Sequence, residues 1–152
     1  MKWAALVLLG PCLFLAPTSR SDNSPATATE QWARHIVDDF LAAALDGQAG
    51  IAGGLLSPEL SQTLNDKDAF GRHRLENMFD SVADNYWHHY EKSVISHVDP
   101  APDRSEYVYE GTLEGEELGG KVTADITLRV AREAGGRWSI RFFRIKKRDA
   151  KK

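Results

Sequence analysis

The sequence predicts an α+β fold, with three N-terminal helices packed on a four-stranded antiparallel sheet. Three observations lead there. Apolar residues in the first half recur at helical spacing. Those in the second half form dense or alternating runs, and every helical stretch precedes every strand stretch.

The alternation is clearest over residues 121–147. Val122, Ala124, Ile126, Leu128 and Val130 alternate with Thr123, Asp125, Thr127, Arg129 and Ala131, giving a strand one apolar and one wetter face. Gly135-Gly136 supplies the permissive backbone of a turn. In the strand that follows, Trp138, Ile140 and Phe142 share the apolar face, and Phe143 and Ile145 lie on the other. The chain is thus expected to close on a long antiparallel hairpin with aromatic mass to bury.

The opposite end has the layout of a secretory signal over residues 1–21. Lys2 precedes an apolar run that is short for a membrane span and ends in small residues. Ala16-Pro17-Thr18 and Ser19-Arg20-Ser21 both suit cleavage, so the cut position stays open. Export to a periplasmic or extracellular space is the expectation, with no membrane association after the signal is removed. Cys12 is the only cysteine in 152 residues. It sits in LLGPCL, which resembles a bacterial lipoprotein acceptor, except that Pro11 stands where that motif wants a small residue. If Cys12 leaves with the signal, the mature chain has neither disulfide nor thiol chemistry and must be held by its core. About 130 residues suffice for one such core. No glycosylation acceptor is present, because Asn23-Ser24 is followed by Pro25.

The formal net charge is −3, unevenly spread. Acids dominate as far as Ala134, whereas Arg137, Arg141, Arg144, Lys146, Lys147, Arg148, Lys151 and Lys152 face Asp149 alone. No nucleic-acid motif accompanies this basic end, and a solvated edge strand with a frayed tail accounts for it; nucleic acid is not an expected partner.

In chain order, residues 22–29 (DNSPATAT) read as a polar linker, residues 30–148 as one domain and residues 149–152 as a basic tail. Thr29 is placed to cap a first helix over residues 30–46. On it Trp32, Ala33, Ile36, Val37, Phe40, Leu41, Ala44 and Leu45 form one wide apolar arc, and Gly47 ends it. A short second helix around Ile51, Leu55 and Leu56 is weakened by Gly50, Gly53 and Gly54. Ser57-Pro58-Glu59 starts another helical turn or two, with Ser as cap and Pro at the first position. A third helical region follows over residues 65–82. Strands are expected at residues 86–98 and 106–114, with turns at residues 99–103 and 115–120. Burying Trp32, Trp87 or Trp138 would remove on the order of 150–250 Å² of surface each.

The segment QWARHIVDDFLAAALDGQAGIAGGLLSPEL, the helices-before-strands order and the ending GGRWSIRFFRIK together resemble the nuclear-transport-factor-2-like superfamily, the cystatin-like cone. The resemblance runs from about Gln31 to Lys147 and rests on element order more than on any one motif. It implies that the sheet is curved, wraps the first helix and leaves a conical pocket. Some members of that superfamily are isomerases, cyclases or dehydratases; many others are binding or dimerisation modules.

No catalytic constellation accompanies the resemblance. Isomerase chemistry needs a buried carboxylate or His base with a Tyr or acid donor. Asp125 has the parity of the wetter face and is expected in solvent. His35 and Asp39, four apart on the polar arc, read as a surface pair. His88 and His89 are adjacent, so on a strand they point apart; His89, Glu91 and His97 share parity but not position, and His73 has no neighbour to work with. No metal site, nucleotide fingerprint, nucleophile elbow or cofactor motif is present, so no cofactor is expected. What stands out is the aromatic set. Trp32, Phe40, Tyr86, Tyr90, Tyr109 and Trp138 are the candidates for lining a small hydrophobic-ligand pocket. The expected function is an exported, non-catalytic binding module. The alternatives are a small-molecule isomerase or cyclase, or an accessory subunit that forms a homodimer through the outer face of the sheet with Tyr and Arg residues.

Overall fold

The computed structural model describes residues 27–66 and 86–148. The expected signal, the body of the third helical region with His73, and the basic tail lie outside the described residues.

The fold is α+β. Helix α1 spans Ala28–Leu45, α2 spans Ala49–Gly54 and α3 spans Pro58–Asp66. A 3-10 turn, Tyr86–His89, leads into β1 (Tyr90–Pro100), followed by β2 (Glu106–Glu117), β3 (Gly120–Arg132) and β4 (Trp138–Lys147). The four strands form one antiparallel sheet in the order β1-β2-β3-β4.

Helix α1 begins two residues earlier than the sequence suggests. Thr27, not Thr29, is the cap: its hydroxyl accepts from the Glu30 amide at 3.3 Å. The C-terminal end is as read. The Gln48 amide reaches back to the Ala43 carbonyl at 2.8 Å and the Gly47 amide to Ala44 at 3.3 Å, the double bond of a Schellman ending, with Gly47 at φ 69°. Ser57 caps α3 as expected, accepting from the Leu60 amide at 3.2 Å.

Three strand boundaries differ from the reading. Tyr86–His89 winds as a 3-10 turn, so β1 starts only at Tyr90. Asp99 and Pro100 still pair, with Val108 and Tyr107, and the turn is pushed beyond residue 100. The β2–β3 turn shrinks from six residues to two. Glu117 pairs with Gly120, and Leu118 (φ 51°) and Gly119 (φ 79°) both take the left-handed backbone that a tight primed hairpin turn requires. Leucine is a poor residue for that conformation, which is why the sequence does not mark it.

The largest correction concerns β4. Val130 pairs with Ile140 but Arg129 pairs with Phe142, so Arg141 is an extra residue in the ladder. The bulge reverses the parity of everything after it. Phe142 turns outward, 41 % exposed, while Phe143 and Ile145 turn in and pack on the core. Arg141 in turn forks onto Glu133, with Nε–Oε1 at 3.3 Å and Nη2–Oε2 at 3.0 Å.

The core lies between α1 and the inner sheet face. Ala33, Val37, Phe40, Leu41 and Ala44 of α1 join Tyr107, Tyr109, Leu113, Ile126, Leu128, Val130 and Ile140 in one buried cluster. At its centre the Phe40, Trp87 and Phe143 rings meet pairwise at 5.5–6.0 Å. The tyrosines of β2, Tyr107 and Tyr109, point into this core. The upper part of β4 is tied to the α2–α3 connection: Ile140 and Leu56 form a parallel bridge, with N–O distances of 2.8 Å from Ser57 to Ile140 and from Ile140 to Leu55.

Candidate functional site

Five of the six aromatic candidates are placed, and they separate into two groups. Phe40 and Tyr90 are buried in the core. So is Tyr109, whose hydroxyl donates to the Glu30 carbonyl at 3.5 Å, joining β2 to the first turn of α1. Burial pushes the Tyr109 phenol up, with Glu30 adding to the effect, so it stays protonated as a donor. The Tyr86 side chain lies outside the described residues.

Trp32 and Trp138 meet elsewhere, at a cleft of about 390 Å³ between the start of α1 and the β3–β4 turn. The apolar side is Trp32, Ile36 and Trp138; Arg132 and Arg137 flank it from the turn. Trp32 is 63 % exposed, against the sequence expectation that it joins the core. Its position at the edge of the apolar arc explains this: Ala33, Val37 and Phe40 take the centre of the buried stripe, leaving Trp32 at the margin with His35 at ring distance, 6.5 Å. Trp138 stands between cleft and core, with its ring 5.7 Å from Tyr107. The Tyr107 hydroxyl is buried with no hydrogen-bond partner among the described residues.

The turn that carries the arginines is well fixed. Arg132 Nε donates to the Gly136 carbonyl at 3.4 Å, and Gly136 itself has φ 84°. Arg137 Nη2 donates to the carbonyls of Gly54 (2.8 Å) and Leu56 (3.3 Å), satisfying oxygens at the C-terminal end of α2. Sequence reasoning did not single out either arginine for the site. Arg137 fell into the count of basic residues near the chain end and Arg132 into the acid-dominated stretch before it, and only the bend of the turn brings them to Trp32.

The remaining candidates for chemistry are surface groups. His35 and Asp39 form an exposed pair at 3.4 Å and Arg34 and Asp38 another at 2.8 Å. Asp125 points outward to Arg148, Nε–Oδ1 2.9 Å. His97 meets Asp99 at 3.2 Å and His89 meets Glu117 at 3.7 Å, so neither converges with Glu91. Among the described residues no three His, Cys, Asp or Glu side chains are grouped to hold a metal ion, and no helix is long and apolar enough to cross a membrane. The buried polar side chains among them, tyrosines apart, are Ser57 and Ser139, so no described carboxylate or imidazole is buried as a base would need to be.

Much of the basic end is neutralised. Lys147 bonds Glu117, Arg148 bonds Asp125 and Arg141 bonds Glu133. Those side-chain hydrogen bonds are the main reason that Glu117, Asp125 and Glu133 are all held below the ordinary carboxylate range; Ser139 adds to the effect on Glu133. A carboxyl with a lowered folded pKa stabilises fully above its unfolded value, near 4, and loses that contribution as pH falls through the folded value. The melting temperature is therefore expected to hold level down to about pH 5 and to fall below about pH 4, with Glu133→Gln softening the acid limb. A melting temperature that rises on acidification would contradict this.

No family model matches the chain, and no curated protein matches it either.

Proposed function

We propose that this protein is an exported, non-catalytic binding module with the cone-like architecture of the nuclear-transport-factor-2-like superfamily, and that it holds a small hydrophobic ligand at the cleft between α1 and the β3–β4 turn. Support for a curved sheet comes from the bulges in β1 and β4 and from Gly111 and Gly115 on the inner side of β2, all of which bend strands. Export rests on the layout of residues 1–21.

The observation that carries the binding reading is Trp32. A large indole left 63 % exposed beside a second tryptophan, across a cleft with an apolar side, is surface that a ligand can cover. Covering it fully is worth on the order of 2–3 kcal/mol at 25 cal/mol/Å² before the losses of association.

The test is titration with an apolar aromatic probe, read by tryptophan and probe fluorescence. Trp32→Ala is expected to weaken binding by about tenfold or more while leaving the melting temperature within a few degrees, because the side chain contributes little to the core. Binding that is indifferent to Trp32→Ala would remove the reading.

A further inference from the structure

We infer that the cleft at Trp32 and Trp138 selects a flat apolar anion, an aromatic carboxylate or sulfonate, over a neutral hydrophobe of the same shape; the inference rests on the reading of this cleft as the binding site. The argument is one of charge left over. Among the described residues, Arg34, Arg129, Arg141 and Arg148 each have a carboxylate partner: Asp38, Glu106, Glu133 and Asp125. The two arginines of the cleft have none within ion-pair distance among those residues; the exposed Arg104 and Arg144 have none either, but only the cleft pair flanks an apolar wall. Arg132 bonds only the Gly136 carbonyl, and Arg137 only the carbonyls of Gly54 and Leu56. No acid among the described residues lines the cleft. Glu133, adjacent in sequence, hydrogen-bonds Ser139 and Arg141 and reaches Arg137 only as a weaker through-space attraction, so Arg132 is the less compensated of the two.

A carbonyl is a dipole and leaves the guanidinium charge standing. Two such charges therefore flank an apolar wall of Trp32, Ile36 and Trp138. A neutral ligand would cover the wall and leave the charges in water. A flat anion covers the wall and brings a counter-charge to both guanidinium groups, whose planar donors suit a carboxylate or sulfonate. Arg137 is held by the end of α2 and so presents its charge from a fixed place; Arg132 bonds only within its own turn and is the better residue to change.

The experiment uses the purified protein and two probes of similar shape, anilinonaphthalene sulfonate and the neutral phenylnaphthylamine. Wild type is expected to bind the sulfonate about tenfold more tightly, with the preference shrinking at raised salt. Arg132→Gln should narrow that preference by about threefold or more without weakening the neutral probe, since it removes charge and not the apolar wall. Trp32→Ala should weaken both probes. Equal binding of the two probes, with both still weakened by Trp32→Ala, would overturn the anion preference and leave the binding cleft standing. Probes that both ignore Trp32→Ala would overturn the cleft and the preference together. Melting temperatures of the two variants close to wild type guard against a loosened core that takes up the dye nonspecifically.

Discussion

Replacing Gly115 with alanine is expected to destabilise the fold by about 2–4 kcal/mol, read from the midpoint and slope of denaturant unfolding. A Cβ at Gly115 would stand 1.9 Å from the His89 carbonyl oxygen and 2.7 Å from Tyr90 Cα. At Gly111 it would stand 2.2 Å from the Val94 oxygen and 2.9 Å from Ile95 Cα. The neighbours are backbone, so no side chain can swing away to relieve the clash; β1 itself must shift. Both glycines lie beside irregularities in the β1–β2 ladder, between Tyr90 and Lys92 and between Ile95 and His97, where β1 comes in close over the inner face of β2. Gly111→Ala is expected to cost a similar amount. Gly50 on α2 is the control, with nothing within 4 Å of its Cβ position. Gly50→Ala should be neutral or stabilising by up to about 1 kcal/mol, because alanine favours the helix and restricts the unfolded chain. If Gly115→Ala behaves like Gly50→Ala, the close approach of β1 to β2 is wrong.

Phe40→Ala is expected to cost about 3–5 kcal/mol, the range for emptying an aromatic site in a packed core. Phe40 is fully buried, and its ring contacts Trp87 at 5.7 Å and Phe143 at 5.5 Å, so its loss undermines both. In a domain of this size, with total stability of about 5–15 kcal/mol, that is a large part of the whole. The more discriminating pair is on β4. Phe143→Ala should cost about 2–4 kcal/mol, and Phe142→Ala no more than about 1 kcal/mol. Simple alternation from Ile140 predicts the opposite order. A larger loss at Phe142 than at Phe143 would mean that the bulge at Arg141 is absent and the end of β4 is registered one residue away.

The contrast shows where the residues inform and where they stop. Val122 to Val130 reads correctly because β3 is central: from Ala124 on, each alternate residue meets one partner on each side, and the parity of β3 itself is preserved end to end. Residues 138–147 are just as apolar, but Arg141 is extra, and an inserted residue leaves no mark on the hydrophobic pattern. Its signal, if any, is the doublet Phe142-Phe143, which no strict alternation can place on a single face. The two-residue turn at Leu118-Gly119 was hidden for a related reason, since leucine gives no hint of a positive φ.

The candidate site divides in the same way. Trp32 and Trp138 stand out by residue type, and the structure brings them to one cleft. Phe40, Tyr90 and Tyr109 stand out equally and are core residues, because an aromatic ring carries no local sign of whether protein or solvent will cover it. Arg132 and Arg137 were invisible as site residues, since their nearness to Trp32 spans about a hundred residues of chain.

By itself, then, the order and spacing of residues determined the class of fold, both ends of α1 to within two residues, the start of α3, and the inward face of β3. These follow from short-range rules: capping, helical period and strand alternation. Only the tertiary structure decided which aromatic rings are enclosed, which face the end of β4 presents, and which arginines stand beside the cleft without an ion-pair contact. Each of those depends on groups far apart in sequence meeting in space, and a single inserted residue or one close backbone approach is enough to change the outcome.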